Sequence, residues 1–488
     1  MPGKLSRRLT ASDAAFLYLE RPNTPLHIGS LAVYEGQVPF EPFQEQIRAR
    51  MPLIPRYRQR VSFVPFSIAH PTWEDDPDFE IRNHVFDVHL PSPGTQENLI
   101  EMSARLFAPP LDRNKPLWEM YVIHGLEGDR TAIVSKVHHC MVDGVSGIEL
   151  LLACLDLSPK PAAPPGAEPY TPPPLPTTRE RVVDAFWDNV SEQIAAAREW
   201  QKNALDVRPQ LRQWNEAIRA FRTAMPWLTS PAPRMPFTAS SLSNERRAAF
   251  SEMSFVEIRE IRTSLGGTVN DVVLAILAGG LRKYLLRHGH RVDGTEPRVM
   301  IPVNVRLDDE KGALGNRVSG MLSPLPIGEP DAAARLYKIR EQTETLKKEN
   351  QAGAVETLMR MAQLMPVPAQ ALAGVTMTNT MVNMICTNVP GPMIPLYCVG
   401  HLLLEHYPLV PLSMNMGLGA GVTSYNHKLF FGLMADPKAM PDVETLKECI
   451  DESFLELRAA AGVEVTELPD FFGARANGGV IEPAGVGN

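Results

Sequence analysis

The chain has few cysteines, no surplus of basic residues and no apolar run of membrane-spanning length, and each shortage narrows what it can be. The five cysteines in 488 residues, Cys140, Cys154, Cys386, Cys398 and Cys449, are odd in number and set far apart among apolar residues. That pattern argues against a disulfide framework and fits a reducing compartment, so a cytoplasmic location is expected. Acidic residues outnumber basic ones, 56 to 48, for a net charge of -8. Nucleic acid is therefore not expected as a partner, because a phosphate backbone selects a basic surface, and any anionic substrate needs a local basic patch. The start, MPGKLSRRLTASD, carries basic residues with no apolar segment behind them, unlike a signal sequence. The most tempting apolar stretch, residues 271–281, is short and soon meets Arg282 and Lys283, so any membrane contact is expected to be peripheral. Metal-ligand spacing is missing as well: His124, Cys140 and Cys154 belong to no HExxH or paired CxxC set, and no metal is expected. No repeat of about twenty to fifty residues is visible, which sets a solenoid aside.

What is present is an ordinary globular balance, 44% hydrophobic and 21% charged, in a chain long enough for two or three domains. Its most informative stretch is HHCMVDG at residues 138–144. The preceding residues 131–137, TAIVSKV, are rich in β-branched side chains and read as a strand, whereas 147–155, GIELLLACL, read as an apolar helix. The motif thus sits at a strand-to-helix corner, a place that can aim a side chain into a cleft. By composition alone an HHxxxDG pattern arises in about one chain in a thousand of this length. An imidazole titrates near neutral pH and can take a proton from an alcohol or thiol attacking a carbonyl, which makes His139 the candidate general base. Asp143 and His138 also suit a structural role in a buried turn, and Gly144 allows the backbone to pass close by.

Residues 158–178, SPKPAAPPGAEPYTPPPLPTT, are proline-rich and read as an extended linker. Beyond them, apolar and aromatic residues recur at helical spacing up to Met225, with Trp187, Trp200, Trp214 and Phe221 among them. These aromatics are expected to cover a core, with a lipid-facing surface as the alternative. A second mixed segment follows, with helical patterns at 255–265 and from Asn270, strand patterns at 299–305, and a methionine-rich region at 358–384 that reads as adaptable packing. The expected organisation is an N-terminal unit at 1–157, a proline-rich and helical linker at 158–244, a C-terminal unit at 245–465 and a tail at 466–488, all of α/β class.

With the histidine motif as anchor, further stretches match one family in order from about Leu9 to Leu457. They are LTASDAAFLYLE with PLHIGSLAVYEG, PRYRQR at 55–60, PLWEM at 116–120, TVNDVVLA at 268–275, IPVNVR at 301–306, GNRVSGM at 315–321 and TNVPGP at 387–392. In these the chain resembles the bacterial wax ester synthase/acyl-CoA:diacylglycerol acyltransferases. The resemblance implies two chloramphenicol-acetyltransferase-like, CoA-dependent acyltransferase domains with a tunnel across their interface. It implies direct acyl transfer from acyl-CoA to a long-chain alcohol or diacylglycerol, with acyl-CoA as a substrate and no separate cofactor. An apolar product then implies peripheral association with the inner membrane or lipid inclusions.

The resemblance also assigns roles. His139, with His138 beside it in the catalytic group, would move the proton, and Asn270 would donate to the developing oxyanion, although an asparagine at a helix start also suits a cap. Asp143, Gly144, Arg306 and Asp271 fall to the structural part of the motifs, with Arg306 as the expected partner of Asp143. Pro116, Leu117 and Trp118 would border the acyl pocket, and Asn388, Pro390 and Gly391 a wall of the tunnel, where a stiff structural turn is the other reading. Two alternatives stay open: a condensation-domain-like enzyme using another alcohol or an amine, and a noncatalytic member of the fold that binds or coats lipid.

Overall fold

The computed structural model describes residues 7–65, 68–141, 154–160, 170–203, 218, 230–239, 241–304, 318–349, 353, 381–413 and 416–466. Asp143, Gly144 and Arg306 lie outside the described residues, as do Trp214, Phe221 and most of the methionine-rich region.

Eight α-helices are used below: α1 (Ala11–Leu19), α2 (Phe40–Arg50), α3 (Gln96–Phe107), α4 (Thr178–Asn203), α5 (Phe255–Leu265), α6 (Val269–Arg287), α7 (Ala332–Lys348) and α8 (Val443–Ala460). The strands are β1 (His27–Glu35), β2 (Gln59–Ser62), β3 (Thr72–Asp75), β4 (Val85–His89), β5 (Trp118–Leu126), β6 (Arg130–His138) and β7 (Arg247–Ser254). They continue as β8 (Arg298–Asn304), β9 (Val318–Pro324), β10 (Met384–Val389), β11 (Tyr397–Cys398), β12 (His401–Leu409), β13 (Leu418–Tyr425) and β14 (Lys428–Ala435). They form two six-stranded sheets, in the orders β11-β12-β1-β6-β5-β4 and β7-β14-β13-β10-β8-β9, and a small β2-β3 hairpin sheet. Each large sheet carries helices, so the class is mixed α/β in two units.

The first sheet is not built from the N-terminal segment alone. β12 pairs antiparallel with β1, from Gly29 opposite Leu409 to Tyr34 opposite Leu403. The span 245–465 thus gives two strands, β11 and β12, to the sheet of the N-terminal half. Strand pairing is decided by whichever edge offers matching hydrogen bonds and an apolar face, and separation in sequence does not prevent it.

β12 also lies against the face of the second sheet, where glycines make room. Gly421 and Gly432 are register partners on β13 and β14. A Cβ on Gly432 would fall 1.9 Å from the Pro408 carbonyl oxygen, and one on Gly421 would fall 2.8 Å from Val410 Cγ1. Tyr407 fills the rest of the junction, tilted 30° against Phe250 and edge-on to Phe430. One apolar core therefore runs from α1 and β1 through Phe250, Phe430 and Met434.

The second core surrounds α6, whose residues from Asp271 through Leu281 are buried without a break. A helix apolar on all sides belongs inside a protein, and here α5, α7 and α8 cover it. No single helix among the described residues is long and apolar enough to cross a membrane.

α4 differs from expectation. Arg181 pairs with Glu74 at 2.8 Å, Asp184 with Arg7 at 3.2 Å and Asp188 with Arg8 at 2.8 Å, so residues at i, i+3 and i+7 fix one helical face to the body. Val183, Phe186, Trp187 and Ile194 on the other face are exposed. Trp187 therefore does not cover the core, because the charged face, with buried Ala185 between its ion pairs, takes the place facing the protein.

Gly432→Ala is expected to cost about 3 kcal/mol, the upper end of the usual range for overpacking because the neighbour is backbone, and to lower the thermal midpoint by several degrees. An unchanged midpoint in a thermal melt would mean that β12 is not seated on the second sheet as described.

Candidate active site

β6 brings the histidines into place. Its β-branched run pairs with β1 along its whole length, ending with His138 opposite His27. There the chain leaves the ladder, and residues His139–Met141 form a short 3-10 turn. Two backbone bonds pin that exit: the His138 N–H donates to Leu117 O and the His139 N–H to Leu26 O, both at 2.9 Å. The PLW segment thus holds the histidine strand through its backbone.

The two histidines face different surroundings. His138 is 1% exposed, and its Nδ1 accepts the Cys140 N–H at 3.2 Å, so the ring proton sits on Nε2. That atom lies 3.3 Å from Glu20 Oε1, close enough for a strong charge–dipole attraction but off the axis of a full hydrogen bond. Glu20 is itself held by the Leu26 N–H at 3.0 Å and by Arg113 at 2.7 Å. Burial pushes the Glu20 carboxyl up, but His138, the Leu26 amide and Arg113 outweigh it and bring it down to about 2. His138 thereby props the turn through Nδ1 and faces the Glu20 carboxylate with Nε2.

His139 has its ring laid flat on Phe16, with centroids 4.0 Å apart and planes 10° from parallel. Its Nδ1 is buried with no hydrogen-bond partner among the described residues. Burial lowers its pKa to about 4, since an imidazolium loses more than a neutral ring on leaving water. At neutral pH the ring is uncharged and has a lone pair to offer.

The PLW residues are packed rather than open. Pro116 is buried, and Leu117 and Trp118 are 0% and 1% exposed. Trp118 donates its indole N–H to Tyr57 O at 2.8 Å and stacks on His84 at 4.6 Å. An open wall of a pocket is not where the structure puts these two side chains.

The second cluster forms at the start of α6. Thr268 is the N-cap: its hydroxyl accepts the Asp271 N–H at 3.3 Å, and the Asp271 carboxylate accepts the Thr268 N–H at 2.7 Å. Such a box satisfies two helix-end donors at once. Asp271 also accepts from the Thr343 hydroxyl at 2.8 Å and is 2% exposed. The cap is therefore not Asn270, whose side chain is exposed and free for other work. Its Oδ1 accepts from Asn388 Nδ2 at 2.6 Å, which leaves the Asn270 amide N–H groups to donate elsewhere.

Asn388 comes from β10, which runs parallel to β13. The turn after it is tied to β13 by Gly391 N–H to Ser424 Oγ at 3.1 Å and by Thr423 to Val389 O at 2.9 Å. A Cβ on Gly391 would lie 2.1 Å from the Ser424 carbonyl oxygen, so glycine is required for that approach, while Pro390 is exposed beside it. The structure thus joins TVND to TNVPGP, and the histidine motif to PLW, in two clusters on two sheets.

Glu20, Arg113, Phe16 and His27 surround the histidines without having been singled out from the sequence. Two of them stand in the quoted FLYLE stretch and His27 in PLHIG, yet nothing local shows that these residues meet a strand more than a hundred positions on. His27 is fully buried and held near pKa 3 chiefly by burial. Among the described residues no group of three or more His, Cys, Asp or Glu is placed to hold a metal ion, and the five cysteines are free and buried.

The wax ester synthase/diacylglycerol acyltransferase catalytic-domain profile matches residues 9–273, and the matching C-terminal-domain profile covers residues 314–458. A putative diacylglycerol O-acyltransferase of Mycobacterium bovis is 32% identical over 473 residues, covering 92% of this chain and 96% of that protein. A second putative diacylglycerol O-acyltransferase, from Mycobacterium tuberculosis, is 30% identical over 472 residues, covering 94% of this chain and 97% of its own. Among solved structures, the wax ester synthase/diacylglycerol acyltransferase from Marinobacter aquaeolei VT8 superposes with a TM-score of 0.65 at 24% identity, covering 93% of this chain and 100% of that one. A starter condensation domain of rhizomide synthetase shares the fold, with a TM-score of 0.58 at 12% identity and 96% coverage of both chains. The chain belongs to the wax ester synthase/diacylglycerol acyltransferase family of acyl-CoA-dependent O-acyltransferases.

Proposed function

We propose that this enzyme moves a long-chain acyl group from acyl-CoA to a fatty alcohol, giving a wax ester, or to diacylglycerol, giving triacylglycerol, with His139 as the general base. The observation that carries the reading is the contrast between the two rings: His138 accepts the Cys140 N–H on Nδ1 and turns Nε2 to the Glu20 carboxylate at 3.3 Å, while His139 lies flat on Phe16 with neither an acidic nor a basic partner among the described residues. In the proposed step the acceptor hydroxyl loses its proton to His139 as its oxygen bonds to the thioester carbonyl carbon. The resulting oxyanion accepts from the Asn270 side-chain amide, whose orientation Asn388 sets. Collapse breaks the carbon–sulfur bond, and the imidazolium returns its proton to the departing CoA thiolate. No acyl-enzyme is needed and no cofactor takes part. Pro116, Leu117 and Trp118 then serve as packed support for the turn, with Asn388, Pro390 and Gly391 bordering the acyl path. Asp143, Gly144 and Arg306 keep their expected part in holding the loop.

A second proposal concerns location. The enzyme would work in the cytoplasm, peripherally bound to the inner membrane or to lipid inclusions, where its apolar acceptors and products reside. Support comes from α4, whose ionic face is turned to the protein and whose Val183, Phe186, Trp187 and Ile194 stripe is turned to solvent. An outward apolar stripe with a tryptophan suits an interfacial helix.

The test of activity follows CoA release from palmitoyl-CoA with hexadecanol, dipalmitoylglycerol or no acceptor, with products separated by chromatography. Acceptor-dependent release with wax ester or triacylglycerol is expected, and His139→Ala should remove nearly all of it with an unchanged melt. Release only with an amine acceptor would favour condensation-type chemistry, and none from folded protein would favour a noncatalytic lipid binder.

Asn270→Ala should lower kcat about 10²–10³-fold, the usual cost of one oxyanion donor, without loss of stability. Thr268→Ala should instead cost about 1 kcal/mol of stability as a lost cap. Equal effects of the two on the melt would contradict this division.

The acid limb of kcat/KM should have its midpoint near 4 rather than 6.5, because the neutral form of His139 persists to about pH 4. Its folded pKa lies below the unfolded value, so the unfolded chain binds the proton more readily between these pH values. This group therefore lowers stability as pH falls through that window. A midpoint near 6.5 would show that burial does not hold the His139 pKa down in the working enzyme.

Replacing Phe186 and Trp187 together by serine should weaken co-flotation with diacylglycerol-containing phosphatidylcholine vesicles, while turnover of short soluble substrates stays near wild type. Unaltered flotation would sink the α4 assignment.

A further inference from the structure

Helix α1 meets the histidine turn with one face. Phe16 and Glu20 are four residues apart, so they project from successive turns on the same side. Phe16 carries the flat stack with His139 at 4.0 Å, and Glu20 sits 3.3 Å from His138 Nε2. The Glu20 backbone N–H closes the helix on Phe16 O at 3.1 Å, which couples the two contacts. Arg113 ties the end of α1 from outside, reaching Glu20 Oε2 at 2.7 Å and Leu17 O at 2.9 Å.

In many hydrolases a carboxylate on the imidazole Nδ1 fixes the plane of the base. Here His139 Nδ1 has no such partner among the described residues. What touches the ring broadside is Phe16. His138, in turn, supports the turn by accepting the Cys140 N–H at 3.2 Å, and this requires its Nε2 to keep the proton. The carboxylate of Glu20 favours that tautomer.

We propose that α1 is the positioning element of the histidine pair, with Phe16 setting the plane of His139 and Glu20, anchored by Arg113, holding His138 as the prop of the turn. Neither residue touches the reacting atoms. The proposal rests on His139 being the base. A misplacement of about 1 Å in a reacting group can cost roughly a hundredfold in rate, so the effect should fall on kcat.

The experiment measures kcat and KM for palmitoyl-CoA in Phe16→Leu, Phe16→Met, Phe16→Tyr, Glu20→Gln and His139→Ala, each with a thermal melt. Phe16→Leu and Phe16→Met keep apolar volume and remove the flat ring, and two such variants guard against one failing to fold. They should lose about 10–100-fold in kcat with KM within about twofold, while Phe16→Tyr, which restores a flat ring, should recover most of the rate. Glu20→Gln should show the same loss in kcat with little change in KM. Folded Phe16→Leu, Phe16→Met and Glu20→Gln proteins with wild-type kcat, alongside an inactive His139→Ala, would overturn the positioning role and leave the base intact. An active His139→Ala would overturn the reading of the base itself. A rise in KM that Phe16→Tyr does not correct would mark Phe16 as a substrate contact and also overturn the proposal.

Discussion

The structure depends on the seating of β12 between the two sheets. On its edge it hydrogen-bonds to β1, the strand that also pairs with the histidine-bearing β6. On its face it presses Pro408 and Val410 into the space left by Gly421 and Gly432. The strand therefore fixes the first sheet against the second with backbone bonds in one direction and close packing in the other. Neither contact tolerates a slip of one residue, because a slip would reverse every side chain of β12 and drive a Cβ into the glycine floor. The proposed reaction, which would draw its base from one sheet and its oxyanion donor from the other, needs a rigid joint of this kind.

The chemistry at the two clusters is divided by hydrogen bonding and burial. Each cluster sets a polar group that lacks a capping or propping duty beside a neighbour that has one. His138 props the turn and His139 Nδ1 has no partner among the described residues; Asp271 and Thr268 close the helix cap, and among the described residues the Asn270 side chain is met only at its Oδ1, by Asn388. In the proposed chemistry the engaged neighbour would lower the freedom of the working group without competing for its proton or its donor. Burial completes the arrangement, since it keeps His139 uncharged where a solvent-exposed imidazole would be partly protonated near neutral pH.

Much of this was legible in the chain. The β-branched run before His138 predicted the strand, and the corner after it is real as far as Met141. The start of α6 was legible too, but reading the cap at Asn270 places it too far along the chain, although Thr-Val-Asn-Asp at 268–271 carries the spacing of a capping box that puts it at Thr268. What lay hidden was long-range. Glu20 is about a hundred residues away from both Arg113 and His138, and no local pattern records their meeting. The transfer of β12 to the N-terminal sheet is hidden for the same reason. Amphipathic spacing in α4 showed that an apolar stripe exists, but not which face is turned inward, because three ion pairs decide that from elsewhere in the chain.

The central claim is that one thioester carbonyl is held between His139 and Asn270. A structure determined with a nonreactive ketone analogue of palmitoyl-CoA, in which a methylene replaces the thioester sulfur, tests it most directly. The account predicts the analogue's carbonyl oxygen within hydrogen-bond reach of the Asn270 amide, with space beside the carbonyl carbon for a hydroxyl that can reach the His139 ring. A carbonyl bound away from Asn270, or with His139 on the far side of β6 from it, would contradict the account.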